Sequence, residues 1–511
     1  MKRQKRKDSV ALEIQSLLVR SYVFIMLFIF PLFFLNQYFG IMRAKRNFYL
    51  WVTGVFIIFS LFIWLSIQIK DKRIDLKDKW ILLFMGIEVG GLLGTFIVNN
   101  NKYDVFWGNS GRYLGCIAIG FGIITVLLIG RNLQWTTYLS WAFLLGSGGV
   151  HLLQLLNEFQ IDPFGMSVGV YEGQREYFIS TIGNINFNAT FDSITIPILM
   201  VLFFLSKEKT SRRIYFTFVC LGYAGMICCR SDSIYVVIVA AFAVLFMFGV
   251  YDTDGLKRYL YLIEAFLGIQ IIIGMAYKIW NNKAYTFRGI GGKIFDKEIL
   301  FVLGIILLAV FLLNILWVNK FSIQIIRKMF GTVLICLGIV AAIVILCINY
   351  LGEIPMEDNW KYQLYFNDAW GNNRGYIWKR VWQVYEGFGP LKKLFGCGMD
   401  NCAATLQSVY GEEMQQLFGA TRFSDAHNEF LQYLISTGIV GIVGYYGTQI
   451  TLLISCIKQY RKKDMCLIGI VGIITFSVQG IVNNPTIITT PLYFIELGII
   501  FSIVYGFAKK D

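Results

Sequence analysis

Residues 424–450 read SDAHNEFLQYLISTGIVGIVGYYGTQI, a polar opening that carries one of only two histidines in the chain and then runs into an apolar segment. That segment is long enough to cross hydrocarbon as a helix. Gly438, Gly441, Gly444 and Gly447 recur every three residues, removing side chains from a slowly winding seam so that a neighbouring membrane helix can approach closely. Ser424 and Asp425 are N-cap residue types, so the sequence predicts a helix starting there with His427 in its first turn. Free N–H groups and the positive end of the helix dipole would keep that imidazole neutral. A capping histidine at a membrane interface is the plainer alternative.

Working outward, the chain has 511 residues, of which 56% are hydrophobic, 16% aromatic and only 15% charged. That excludes a soluble protein of this size. Runs of about 18 or more apolar residues occur near 21–41, 48–69, 79–98, 113–130, 134–156, 187–205, 213–230, 233–250, 259–279, 298–318, 329–350, 428–456, 465–483 and 489–508. The expected fold is an all-α polytopic transmembrane bundle of about 12–14 helices, with residues 1–350 and 427–511 in the membrane and a large, partly helical extracytoplasmic loop at 351–426.

Orientation follows from Lys and Arg. With the basic MKRQKRK terminus inside, the short loops KDKRIDLKDK, SKEKTSRR, NKFSIQIIRK and KQYRKKD also fall inside; Arg43, Lys45 and Arg46 are the exceptions. Both termini are expected to be cytoplasmic, in the cytoplasmic membrane. The net charge of +14 reads as topology and attraction to anionic membrane lipid, with no nucleic acid partner. No cleavage site follows the first run, which reads as a retained helix, and residues 8–20 as an amphipathic piece on the inner surface. Two histidines and no C-x-x-C leave no metal-ligand set, and neither metal nor cofactor is expected. Cys397 and Cys402 share an outside loop, where a disulfide across GCGMDNC stays open.

The outside loops hold the chemistry. In GNSGRYLG, Arg112 opens the fourth segment, as a phosphate contact or a snorkelling arginine. His151 reads as a hydrogen-bonded core residue. The loop from Asn157 to Ile185 reads as an ordered lid ending in GNINFNA, whose Asn184, Asn186 and Asn188 either read sugar hydroxyls or cap the next helix. Arg230 sits in a polar break, CRSDS; unpaired at membrane depth it would cost up to roughly 3 kcal/mol, so it needs an anionic partner. DTDG at 252–255 is an ordinary turn. The 351–426 region is rich in Trp and Tyr, Asn359, Trp360 and Tyr362 opening its polar run, and the segment after NNRG places Arg374, Trp378, Val381 and Tyr385 along one side of an amphipathic helix on the outer membrane face.

His427-Asn428, separated by nine residues from Gly438-x-x-Gly441, resembles the signature of the O-antigen ligase and O-antigen polymerase superfamily. These integral membrane enzymes transfer glycans from a polyprenyl pyrophosphate. The Gly-Arg-x-x-Gly around Arg112, the GNINFNA element, the turn arginine Arg230, and the Arg-x-x-x-Trp helix at Arg374 and Trp378 are similar to further elements of that family. The resemblance covers about 99–115 and 180–447 and departs from it at 259–318, where two segments stand in excess. It implies a GT-C-like glycosyltransferase acting on undecaprenyl pyrophosphate-linked oligosaccharide, with a glycan or glycolipid acceptor. The implied roles are His427 as base, Arg374 and Arg230 on the pyrophosphate, Arg380 as alternative to Arg374, and Arg112, Asn184, Asn186, Asn428 and Trp378 in substrate contact. Metal-independent transfer with inversion is expected, arginines replacing a metal at the leaving group. Asp425 and Glu429 are candidates to orient the histidine. The competing classes are a transporter of an anion or lipid-linked saccharide, suggested by intramembrane Glu88, Asp192, Glu264 and Glu496, and a non-catalytic scaffold.

Overall fold

Within hydrocarbon each backbone N–H and C=O must be satisfied by its own segment, and this chain answers with helix almost throughout. The computed structural model describes residues 2–71, 78–108, 111–280, 284–320, 322–350, 364–419 and 423–506 and is 79% helical; the aromatic positions Asn359 to Tyr362 lie outside the described residues. Membrane helices in chain order are α1 (Lys2–Phe24, continuing through a wide turn to Leu32), α2 (Gln37–Asp71), α3 (Lys79–Val98), α4 (Cys116–Asn132), α5 (Thr137–Glu158), α6 (Ile185–Leu205), α7 (Lys209–Cys228), α8 (Ser233–Gly249), α9 (Thr253–Ile279), α10 (Lys297–Leu312) and α11 (Ile323–Tyr350). The segment that follows supplies α12 (Trp370–Glu386), α13 (Pro390–Phe395) and α14 (Cys402–Phe418), and the last membrane helices are α15 (Glu429–Gln459), α16 (Cys466–Gly480) and α17 (Thr490–Tyr505). Among the described residues nine of these are long and apolar enough to span a membrane, and four apolar ones are shorter. The protein is an all-α polytopic bundle.

Glycine contacts give the relative directions. Gly91 meets Gly441, Gly444 meets the backbone of Glu88, and Gly447 meets Phe84, so α3 and α15 run antiparallel with backbones too close to admit a Cβ. Gly122 meets Phe494 and Gly130 meets Phe501, so α4 and α17 run parallel. Both relations are those of a chain that crosses at every membrane helix in the order above.

Three expectations are corrected. The first apolar run is broken: Pro31 and the extended Phe33 end the first span, and Asn36 and Gln37 take left-handed conformations before α2 starts. The freed carbonyls of Phe30 and Pro31 accept from the fully buried Lys45 Nζ at 2.7 and 2.9 Å, while Arg46 donates to Trp107 O. Two of the basic residues that violated the charge rule are therefore spent on backbone acceptors. Residues 10–20 are no separate surface helix; they continue α1, burying Gln15 and Ser16 and exposing Leu12, Ile14 and Leu17. Finally, Gly438 does not join the glycine seam. With φ 65° and ψ −167° it unwinds α15, and the turn after α13 docks there, Cys397 N donating to Ile435 O at 2.8 Å and Gly398 N to Ser436 O at 3.1 Å. A Cβ on Gly438 would overlap the backbone of Leu394 and Phe395.

The intramembrane carboxyls are partly absorbed. Asp192 is met by His151 Nε2 at 3.4 Å and Gln154 at 3.0 Å and Glu264 accepts from Asn314 at 2.8 Å, whereas Glu88 Oε1 and both carboxyl oxygens of Glu496 are buried without a hydrogen-bond partner among the described residues. His151 is fully buried and also faces Thr195, a core histidine. Asp252 caps α9. The lid between α5 and α6 is ordered by the hairpin of β1 (Phe178–Ile179) and β2 (Gly183–Asn184), with buried Asn188 donating to the carbonyls of Ile179, Gly183 and Asn184.

Candidate active site

His427 lies before α15, not in its first turn. The N-cap is Asn428, whose side chain accepts from Leu431 N at 2.9 Å, and His427 holds φ at 48°. The reason is that Asp425 is committed elsewhere. Its Oδ1 accepts from the His427 backbone N at 3.0 Å and lies 3.3 Å from the ring Nδ1. Its Oδ2 accepts from Arg112 Nε at 2.9 Å, from Arg112 Nη2, and from the Ser424 hydroxyl at 2.6 Å. Arg112 Nη2 also reaches Ser424 Oγ at 2.9 Å. The result is a relay of contacts from Arg112 through Asp425 to the His427 backbone, between segments 313 residues apart, with the ring Nδ1 beside the carboxylate but not hydrogen-bonded to it.

Packing makes the relay rigid. Asp425 is 0% exposed and Arg112 19%, whereas His427 keeps 30% of its side chain accessible. The Arg112 guanidinium also lies over the Phe187 ring at 5.1 Å, its carbonyl accepts from Ile487 N, and Tyr113 N donates to Asp400. Loops from four parts of the chain therefore meet at one point. Because Nδ1 faces the carboxylate, the edge bearing Nε2 is the one left to an incoming group.

The electrostatics follow. Burial pushes the Asp425 carboxyl up, but Arg112, His427 and the Ser424 hydroxyl together outweigh it and hold the group at about 2. Close packing lowers the His427 pKa from its ordinary value; Asp425 opposes this, and the charges of Arg112 and Arg374 add to it. The imidazole is thus biased toward its neutral form, and Arg374 is near enough for its charge to be felt there.

The remaining candidates separate from this centre. Arg230, in a left-handed turn with φ 57°, pairs with buried Glu158 at 3.1 Å, donates to Glu176 O and stacks on Tyr285 at 4.8 Å. Its anionic partner is supplied by the protein, and the loop carrying Tyr285 belongs to the excess segments noted in the sequence. A thread connects the two arginines: Ser231 donates to Asn186, and the next residue, Phe187, lies under Arg112. Asn184 caps α6 by accepting from Asn186 N at 2.9 Å, and Asn428 donates to Ile481 O at 2.9 Å. Arg380 is bound to Glu413 at 3.0 Å between the rings of Tyr376 and Tyr410, clipping α12 to α14. Trp378 stacks with Trp370 and Phe366. The buried face of α12, with Ile377, Val381 and Val384, packs on Leu406 and Ile435 instead of lying free on a membrane surface. Cys397 and Cys402 are separate buried thiols, and Glu429 turns away from the histidine to accept from Tyr445 at 2.9 Å.

Sequence reading missed the Arg112–Asp425 pair and Glu158. Only proximity across hundreds of residues reveals the first; the second stood unremarked at the end of an apolar run.

Loops of this polytopic helical membrane protein thus bring the His427 imidazole against the buried Asp425 carboxylate and its Arg112 partner. Residues 299–446 match the family model described as O-Antigen ligase, a stretch that contains Arg374, Trp378, Arg380 and His427. That match supports the resemblance to the O-antigen ligase superfamily and, at the level it reaches, membrane glycan assembly of the ligase or polymerase kind. No curated protein matches the chain.

Proposed function

We propose that this protein transfers a glycan from undecaprenyl pyrophosphate to an acceptor hydroxyl at the outer face of the cytoplasmic membrane, with both chain termini in the cytoplasm. His427 Nε2 takes the acceptor's proton, and the oxygen so activated attacks the anomeric carbon. The bond from that carbon to the diphosphate oxygen breaks, and its electron pair leaves with the diphosphate. Arg374 and Arg230 stabilise the charge that builds there, as planar forks suited to phosphate oxygens. Two guanidiniums can do this without a metal, and a single displacement inverts the anomeric configuration. Arg112 acts through Asp425 as a positioning residue. Asn186 lies along the contact path between Arg230 and Arg112, where sugar hydroxyls would be read.

The observation that carries the reading is the Arg112–Asp425–His427 relay, with its imidazole edge accessible. It is tested by reconstituting purified protein with a lipid-linked oligosaccharide and an acceptor. His427→Ala is expected to abolish product while protein level and donor persist; retained turnover would remove the mechanism, and movement of donor without product would favour a transporter.

A further inference from the structure

At the end of the bundle opposite the candidate site, the C-terminal ends of α6 and α8 and the exit of α15 enclose a cleft of about 360 Å³. Its back wall is apolar, formed by Phe204, Phe248 and Leu467, and its rim carries Tyr251, Tyr460, Arg461 and Asp464. The two tyrosine hydroxyls are bonded at 2.6 Å. Arg327, from the first turns of α11, lays its guanidinium 3.7 Å from the Tyr251 ring centre and donates to Met247 O at 2.7 Å. Arg461 lies 4.9 Å from the same ring and donates to Tyr460 Oη at 3.3 Å.

Two guanidiniums therefore share one tyrosine, and among the described residues neither forms an ion pair with a carboxylate, Asp464 included. Arg258, donating to Phe204 O at 2.8 Å behind the wall, adds a third cation. Asp252 and Asp254 lie near Arg258, but Arg327 and Arg461, gathered on one ring with no ion pair of their own among the described residues, favour an anion beside them. The loops SKEKTSRR, NKFSIQIIRK and KQYRKKD border this end, which the charge rule places on the cytoplasmic side.

We propose that this cleft binds an anionic, phosphate-bearing lipid of the adjoining leaflet, its phosphate on Arg461 at the rim, with Arg327 adding its charge from the Tyr251 ring, and its hydrocarbon against Phe204, Phe248 and Leu467. A soluble phosphate would satisfy the guanidiniums but leave the apolar wall unused; a lipid uses both. The site is independent of the glycosyl-transfer reading, and its occupant would tie the ends of α6, α8, α11 and α15 together.

The test titrates the purified full-length protein in neutral detergent with dihexanoyl phosphatidylglycerol, dihexanoyl phosphatidylcholine and glycerol 3-phosphate, following binding by calorimetry. Phosphatidylglycerol is expected to bind most tightly, and R327Q/R461Q to weaken it about tenfold or more, a charge-assisted contact and a neighbouring charge being lost. A control of equal charge change at the same end but outside the cleft, K209Q/R213Q, should stay close to wild type. Equal binding by R327Q/R461Q, or by phosphatidylcholine, overturns the proposal, and glycerol 3-phosphate binding as tightly as the lipid would assign the site to a soluble phosphate. Should the double variant unfold at lower temperature without lipid, Arg461→Gln alone, which alters an exposed side chain, gives the same reading with a smaller loss.

Discussion

Replacing Arg112 with Gln separates two readings of that residue. The sequence allowed it to contact donor phosphate; the structure turns its guanidinium onto Asp425. Against burial, Asp425 is held at about 2 from an ordinary 3.8, which corresponds to ~2–3 kcal/mol favouring the ionised carboxylate. Because the folded-state value is depressed, that stabilisation is present above about pH 4 and is lost as pH falls through 2. Removing one partner of a buried pair costs about 3–5 kcal/mol, since the other charge stays behind. If ~3 kcal/mol of this is felt as lost orientation of His427, kcat falls roughly a hundredfold. The His427 pKa rises too, because a repelling cation disappears and the Asp425 charge is no longer cancelled. The assay is transfer from lipid-linked oligosaccharide in reconstituted vesicles, with donor KM, kcat and the pH profile measured separately. The expected result is a lower kcat, a near-constant KM and an acid limb moved to higher pH. A raised KM with kcat and pH profile unchanged would refute the positioning role and return Arg112 to the donor phosphate.

The other predictions concern its neighbours. Arg374→Gln removes a charge that lowers the His427 pKa, so beyond a loss of rate the acid limb should shift to higher pH; an unmoved limb would show that Arg374 is electrostatically remote from the base. Gly438→Ala puts a side chain at φ 65°, ψ −167°, costing about 1–3 kcal/mol in backbone alone, and should loosen the docked turn at Cys397, read as faster amide exchange at Cys397 and Gly398. Glu158→Gln leaves the Arg230 charge, only 5% exposed, without its carboxylate, and should lower thermal stability by about 3–5 kcal/mol, while an unchanged melting curve would show that the ion pair is not needed to keep Arg230 in place.

Much of this protein was legible before any fold was known, because a membrane reduces the structural question to one dimension. A run of apolar residues can only be a helix there, so the spans and a close-packing glycine seam on α15 followed from hydrophobic length and residue size, whereas α3 as the partner of that seam did not. His427, Arg230 and Arg374 stood out because polar groups at membrane edges need a reason. Local pattern misled wherever a side chain had a distant partner. Asp425 looked like a helix cap until Arg112 claimed it, Gly438 looked like a packing glycine until the turn after α13 entered the kink, and Lys45 looked like a topology exception until it met the carbonyls of Phe30 and Pro31. What the sequence by itself determined was thus the set of helices and the polar residues between them. Which of those residues touch was decided by tertiary structure alone, because hydrogen bonds and ion pairs depend on ångström-scale distances between segments whose separation along the chain carries no record of their meeting.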